Sequence, residues 1–210
     1  LCSRSRNKYV GVSNRDYGCG EVQMIYDRLQ IIDNLVEPHI AEIIDSEVQQ
    51  LSWKYDYDSR KGGANKHWHI QGVHTEQEML DRGMDWIMPI WQSAMSKIKL
   101  DLQWERVYPN AHTHGVEPLS HVDDGDYTLI YYPRLDWHKD DMGGTIVLNE
   151  VAEYKGNRLI CFPAKQVHQA MPVSRNCHKL RTCIVFKTLD KGGQIYNSDR
   201  LEGYKEIELV

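Results

Sequence analysis

Apolar residues change their spacing part-way along this chain. Between residues 31 and 100 they fall mostly in helical steps, and from Trp104 onward they gather into short runs divided by Gly, Pro and Asp turns. Ile31-Ile32-Asp33-Asn34-Leu35 predicts a short strand. Pro38 to Gln50 sets Ile40, Ile43, Ile44 and Val48 at helical spacing behind a proline suited to a first turn, which predicts an amphipathic helix. Trp53 to Asp58 and Lys66 to Gln71 alternate around the turn-like residues 60–65, the pattern of a hairpin. Met84 to Leu100 carries Met84, Ile87, Met88, Trp91, Met95 and Ile98 in three- and four-residue steps and predicts a second helix, despite Pro89, whose stripe is core. The later runs, at 104–108, 119–123, 126–132, 144–148, 158–162, 167–172 and 181–188, predict strands. So many short strands close most naturally into a β-sandwich or barrel.

Residues 1–20 are polar and aperiodic and read as an irregular extension, leaving 21–210 as a single domain with a substantial core. Net charge is −5 and no run of five or more Lys and Arg occurs, so no nucleic-acid partner is expected. The longest apolar runs are strand-sized, and no membrane association is expected. Five cysteines without a CxxC spacing favour ordinary thiols in a reducing compartment, hence a soluble cytoplasmic protein.

Histidine and carboxylate spacing brings chemistry into the picture. Two histidines and one carboxylate on one face of iron leave three positions open, the arrangement of non-haem Fe(II) oxygenases. On a strand, His-x-Asp points both side chains to one face, where they can converge on an ion. The triplet arises readily by chance, and two occur here. His138-Lys139-Asp140 lies in a charged, turn-like stretch and reads as a solvated loop, whereas His121-Val122-Asp123 directly precedes the strand-forming Tyr127 to Tyr132. His168, on a later strand past the Phe162-Pro163 turn, supplies the remote histidine. Arg181 heads the apolar run Thr182-Cys183-Ile184-Val185-Phe186, where a cation needs an anion or a route to solvent. A bidentate carboxylate would suit it.

From about Tyr108 to Phe186 the chain resembles the prolyl 4-hydroxylase-type 2-oxoglutarate oxygenases, which include the hypoxia-sensing prolyl hydroxylases and bacterial and phage relatives. The matching pieces are Tyr108-Pro109, Gly115, His121-Val122-Asp123, Ile130-Tyr131-Tyr132, Asp136-Trp137, Gly143-Gly144, Phe162-Pro163, His168 and Arg181. Their order and spacing together are far more specific than any one alone. The resemblance implies a mainly β fold with flanking helices: a double-stranded β-helix, or cupin-like jelly roll, on an N-terminal helical support. It implies Fe(II) held by His121, Asp123 and His168, and O2 and 2-oxoglutarate as co-substrates, with ascorbate in support. Arg181 matches the residue that meets the 5-carboxylate, and Tyr108 and Tyr132 match tyrosines lining that pocket. The implied reaction hydroxylates an unactivated C–H bond with release of succinate and CO2, a prolyl residue of a peptide or protein being the first substrate to expect.

Two departures stand out. Pro133-Arg134 replaces the usual Leu-Asn after the tyrosine pair, and the interval from His168 to Arg181 is longer than typical, which makes Arg175 and Lys179 rival anchors. Other readings are a hydroxylase of a free amino acid or other small molecule, and a nucleic-acid repair dioxygenase of the AlkB type, suggested by the separation of Arg175 and Arg181. A cupin-like metal- or sugar-binding module is the reading that His67-Trp68-His69 and His112-Thr113-His114 suggest. Trp68, His69, Trp137 and His138 are expected to shape the substrate entrance.

Overall fold

The computed structural model describes residues 28–57 and 66–192, so the extension expected at 1–20 and the hairpin turn at 60–65 lie outside the described residues. Along the chain run β1 (Gln30–Asp33), α1 (Pro38–Gln49), β2 (Lys54–Tyr57), β3 (His67–His69), α2 (Glu76–Asp81), α3 (Met88–Lys97), β4 (Leu102–His112) and β5 (Tyr127–Tyr132). There follow β6 (Thr145–Val147), β7 (Glu150–Ala152), β8 (Arg158–Pro163), β9 (His168–Ala170) and β10 (Arg181–Asp190). Two antiparallel sheets form: a large one ordered β1-β8-β5-β10-β4-β3-β2 and a small one ordered β7-β6-β9. This is the jelly-roll architecture expected, mostly β with helices on one side.

The central strands read as unbroken apolar runs because both of their faces are buried. Leu129 and Tyr131 of β5, Leu159 and Cys161 of β8, and Ile184 and Phe186 of β10 pack with Ile44, Ile87, Ile90 and Ala94 in the helix-backed core. Their neighbours Ile130, Tyr132, Ile160, Phe162, Cys183 and Val185 point the other way, into a second core with Val147 and Ala152 of the small sheet. Period-two alternation thus divides each strand between two cores. The described cysteines Cys161, Cys177 and Cys183 are buried free thiols. Among the described residues no helix is long and apolar enough to cross a membrane.

Several boundaries differ from the periodicity. In α1 the inward stripe is Ala41, Ile44 and Val48, while Ile43 faces solvent. α3 starts at Met88 rather than Met84, because Pro89 takes a first-turn position behind a separate 3-10 turn at Asp85–Ile87. No strand spans 119–123: the backbone of His121 makes one bridge with His168, and the Asp123 amide turns away to the Ala164 carbonyl at 2.8 Å. β7 and α2 were not anticipated. α2 is only six residues long, too short for a stripe, and opens on Thr75, whose side chain accepts from the Glu78 amide.

Candidate active site

A cavity of about 240 Å³ opens between the two sheets. On β10, alternation sends Arg181, Cys183, Val185 and Lys187 to its wall, and on β4 it sends Arg106, Tyr108, Asn110 and His112. The register sets these residues opposite one another, His112 facing Arg181 at one end and Arg106 facing Lys187 at the other.

His121, Asp123 and His168 converge on this cavity with donor atoms within 4.8 Å of one another. Nε2 of His168 lies 3.2 Å from one Asp123 carboxylate oxygen, and Nε2 of His121 lies 3.6 Å from the other. His121 Nδ1 donates to the Leu119 carbonyl and His168 Nδ1 to the Gln166 carbonyl, each at 2.9 Å. A neutral imidazole that donates from Nδ1 carries its lone pair on Nε2. Two such lone pairs and a carboxylate therefore face one another, an arrangement that repels unless a cation lies between them. Metal–ligand bonds of about 2.1 Å meeting at right angles hold neighbouring donors about 3 Å apart, so the trio fits an octahedral face of a divalent metal.

Electrostatics favour the neutral ring of His121 and the ionised carboxylate of Asp123. Burial pushes the His121 imidazole down from its ordinary value, which favours the neutral ring. Burial alone would raise the Asp123 carboxyl, but the Lys187 ammonium in contact with it works the other way, and the group stays below the usual carboxylate range. Lys187, almost fully buried, contacts the same Asp123 oxygen to which Thr128 Oγ1 donates at 2.7 Å. That oxygen, the one that also faces His168 Nε2, is fixed by these contacts, which orient the carboxylate.

Arg181 is 1% exposed, and no carboxylate among the described residues pairs with it. Its Nε donates to the Gly143 carbonyl, and one terminal nitrogen reaches the Gly144 carbonyl and Thr145 Oγ1, both at 3.3 Å. Gly143 has φ +75°, and a Cβ there would lie 3.0 Å from the Arg181 side chain, so the approach requires glycine. Burying a guanidinium without a counter-ion is costly, which makes the site a receptor for an anion. On the paired strand, His112 Nδ1 is buried with no hydrogen-bond partner among the described residues, and burial, with Arg181 adding to it, holds that ring well below its ordinary value and neutral.

The other expected residues divide. Tyr108 lines the cavity, and burial, reinforced by the Asp123 charge, keeps its phenol protonated. Tyr132 does not line it: its ring stacks on Tyr154 in the inter-sheet core and its hydroxyl donates to Thr145 Oγ1 at 2.7 Å. Of the entrance residues only His69 reaches a cavity, a side chamber of about 150 Å³. Trp68 packs against Tyr55, Trp137 is buried with its Nε1 donating to the Met142 carbonyl, and His138 caps an exposed 3-10 turn. Lys179 is engaged by Asp136 and Asp141, and neither it nor Arg175 lines the cavity, whereas Arg181 does. His67 and His112 lie with ring centroids 5.1 Å apart, yet the trio is the one metal-spaced group among the described residues. Lys187, Arg106 and Thr128 were missed. A lysine continuing the apolar run after Arg181, at an even interval from it, was the signal available for the first.

Solved structures share this arrangement of sheets. A prolyl-4-hydroxylase from Pseudomonas putida aligns over 79% of this chain and 95% of its own, with 12% identity and a TM-score of 0.53. The fold is thus one that this chain shares with solved 2-oxoglutarate- and Fe(II)-dependent oxygenases. Its breadth shows in the α-ketoglutarate-dependent epimerase SnoN from nogalamycin biosynthesis, which covers 80% of each chain at 10% identity and a TM-score of 0.58. HygX from Streptomyces hygroscopicus, solved with nickel and 2-oxoglutarate bound, covers 82% of this chain and 86% of its own at 8% identity and a TM-score of 0.54. No protein-family model and no curated protein matches the sequence.

Proposed function

We propose that this chain is an Fe(II)- and 2-oxoglutarate-dependent dioxygenase that hydroxylates an unactivated C–H bond. The observation that carries the reading is the pairing, in one cavity, of a His121-Asp123-His168 face with a buried Arg181 that has no counter-ion among the described residues. When bound, Fe(II) and 2-oxoglutarate supply oxidation by O2, so that substrate, 2-oxoglutarate and O2 become hydroxylated product, succinate and CO2. His121, Asp123 and His168 hold the metal, and Lys187 and Thr128 orient the Asp123 carboxylate. Arg181 fixes the 5-carboxylate of the co-substrate, with the neutral His112 beside it as a further donor. Tyr108, protonated and facing the cavity, contributes a hydroxyl to that wall.

A prolyl residue of a peptide or protein is the substrate to which the motif set points, supported by the likeness to a prolyl-4-hydroxylase fold. The likeness to an epimerase and the charge of the cavity wall favour a second reading, a small molecule taken whole into the site. Calorimetric titration with Mn(II) and then 2-oxoglutarate tests the class without any prime substrate. One metal per chain, followed by 2-oxoglutarate binding that Arg181→Met weakens, is the expected result. Metal binding that survives His121→Ala and Asp123→Ala together would overturn it.

A further inference from the structure

Arg106 is the second arginine on the cavity wall, and the co-substrate reading gives it no task. The register sets it directly opposite Lys187. Two cations at facing positions repel unless each finds an anion. Lys187 has Asp123, whereas the one carboxylate paired with Arg106 among the described residues is Asp124, 3.6 Å from a terminal nitrogen and with its side chain 75% exposed. Arg106 Nε is buried and has no hydrogen-bond partner among the described residues. The side chain is nonetheless held in place: its guanidinium sits 5.2 Å over the Tyr108 ring, and its stem packs on Gly72, where a Cβ would lie 3.1 Å from Cγ. A fixed, partly exposed arginine whose terminal nitrogen has only a long contact to an exposed carboxylate is a prepared anion site.

Its place says which anion. Arg106, Tyr57, Tyr108 and Asn110 line both the metal-side cavity and the side chamber, so the guanidinium stands at the junction of the two. Asp124 follows the ligand Asp123 in the chain and lines the same wall. The wall of the larger cavity thus offers a cation and an anion side by side, loosely paired at 3.6 Å, with Asp124 adjoining Asp123 in the chain. The two spaces measure about 240 and 150 Å³, small beside the roughly 300 to 1,000 Å³ that encloses a drug-sized ligand, and 2-oxoglutarate takes part of the larger one.

We infer that the prime substrate is a free α-amino acid, its carboxylate bound by Arg106 and its ammonium by Asp124, with its side chain directed between the metal-side cavity and the side chamber. The inference rests on the dioxygenase reading and narrows its substrate. The test measures succinate formation by the Fe(II)-reconstituted full chain with each of the twenty common L-amino acids, their α-carboxamides, and short acidic and proline-rich peptides capped at both ends. Ligand-observed NMR of the same compounds with the Mg(II)- and 2-oxoglutarate-loaded protein reads binding apart from turnover. A free amino acid that raises succinate above the substrate-free rate, with an amide at least tenfold weaker, is the expected result. The stimulated-to-unstimulated ratio should fall at least tenfold in Arg106→Gln, recover partly in Arg106→Lys, and fall less in Asp124→Asn, with circular dichroism showing each variant folded. Amides as effective as acids, stimulation by capped peptides alone, or a ratio unchanged in Arg106→Gln would overturn the inference. If the wild type makes no succinate at all, the dioxygenase reading has failed, and the NMR arm still decides: binding of free acids lost in Arg106→Gln keeps the anion site, and binding retained removes it.

Discussion

The chain carries the His-x-Asp triplet twice, and the two copies end in opposite environments. His121-Val122-Asp123 is folded against β9, where His168 completes a trio, and the Asp123 side chain is 9% exposed. His138-Lys139-Asp140 begins a 3-10 turn, with His138 as its cap and the side chains of His138 and Asp140 68% and 79% exposed. Three residues in a row therefore do not make a site. What sets the first apart is a second histidine from β9, carbonyls that set both imidazole tautomers and a buried lysine against the carboxylate. The second triplet has none of these and serves the local turn.

Substitutions can break this contrast, beginning with the strongest. Asp123→Ala should abolish stoichiometric Mn(II) binding measured by calorimetry, while Asp140→Ala leaves it intact; equal losses would erase the distinction. Arg181→Met should raise the 2-oxoglutarate concentration needed for half-maximal binding about 100-fold, since an unpaired buried carboxylate costs several kcal/mol. Lys187→Met, which keeps the volume and removes the charge, should weaken metal affinity about 10- to 100-fold by freeing the Asp123 carboxylate to rotate. The mildest effect concerns the second triplet's turn. Burial alone would raise the Asp141 carboxyl, but the His138 amide and the Lys179 ammonium hold it below its ordinary 3.8. A depressed folded-state value means that this stabilisation is present above the unfolded value and fades as pH falls through the folded one. Asp141→Asn should therefore cost about 1 kcal/mol in denaturant unfolding at neutral pH, the scale of a lost cap, with variant and wild type converging in acid and metal binding unchanged.

Much of this was legible in the sequence, for reasons the structure makes concrete. His121, Asp123, His168 and Arg181 could be picked out because their signals are local: an i, i+2 pair beside a strand, a histidine after a Phe-Pro turn, an arginine at the head of an apolar run. Arg106 and Lys187 face each other only through the pairing of β4 with β10, which no window along the chain displays. Tyr132 shows the reverse failure. Its place after Ile130-Tyr131 suggested a pocket tyrosine, yet the alternation that sends Tyr131 to the helix-backed core seats Tyr132 in the inter-sheet core beneath Arg181. α2 had a readable start in Thr75-x-x-Glu78, where Glu78 also accepts from the His74 amide at 2.9 Å, but no periodicity to extend it.

The central claim is that the first triplet, with His168 and Arg181, turns over 2-oxoglutarate. Succinate release tests it most directly, using anaerobically Fe(II)-loaded protein exposed to O2, with His121→Ala, Arg181→Met and His138→Ala in parallel. The account predicts succinate from the wild type and from His138→Ala, none from His121→Ala, and formation by Arg181→Met only at raised 2-oxoglutarate. Succinate made equally by wild type and His121→Ala, or by none of the proteins despite bound metal, would contradict it.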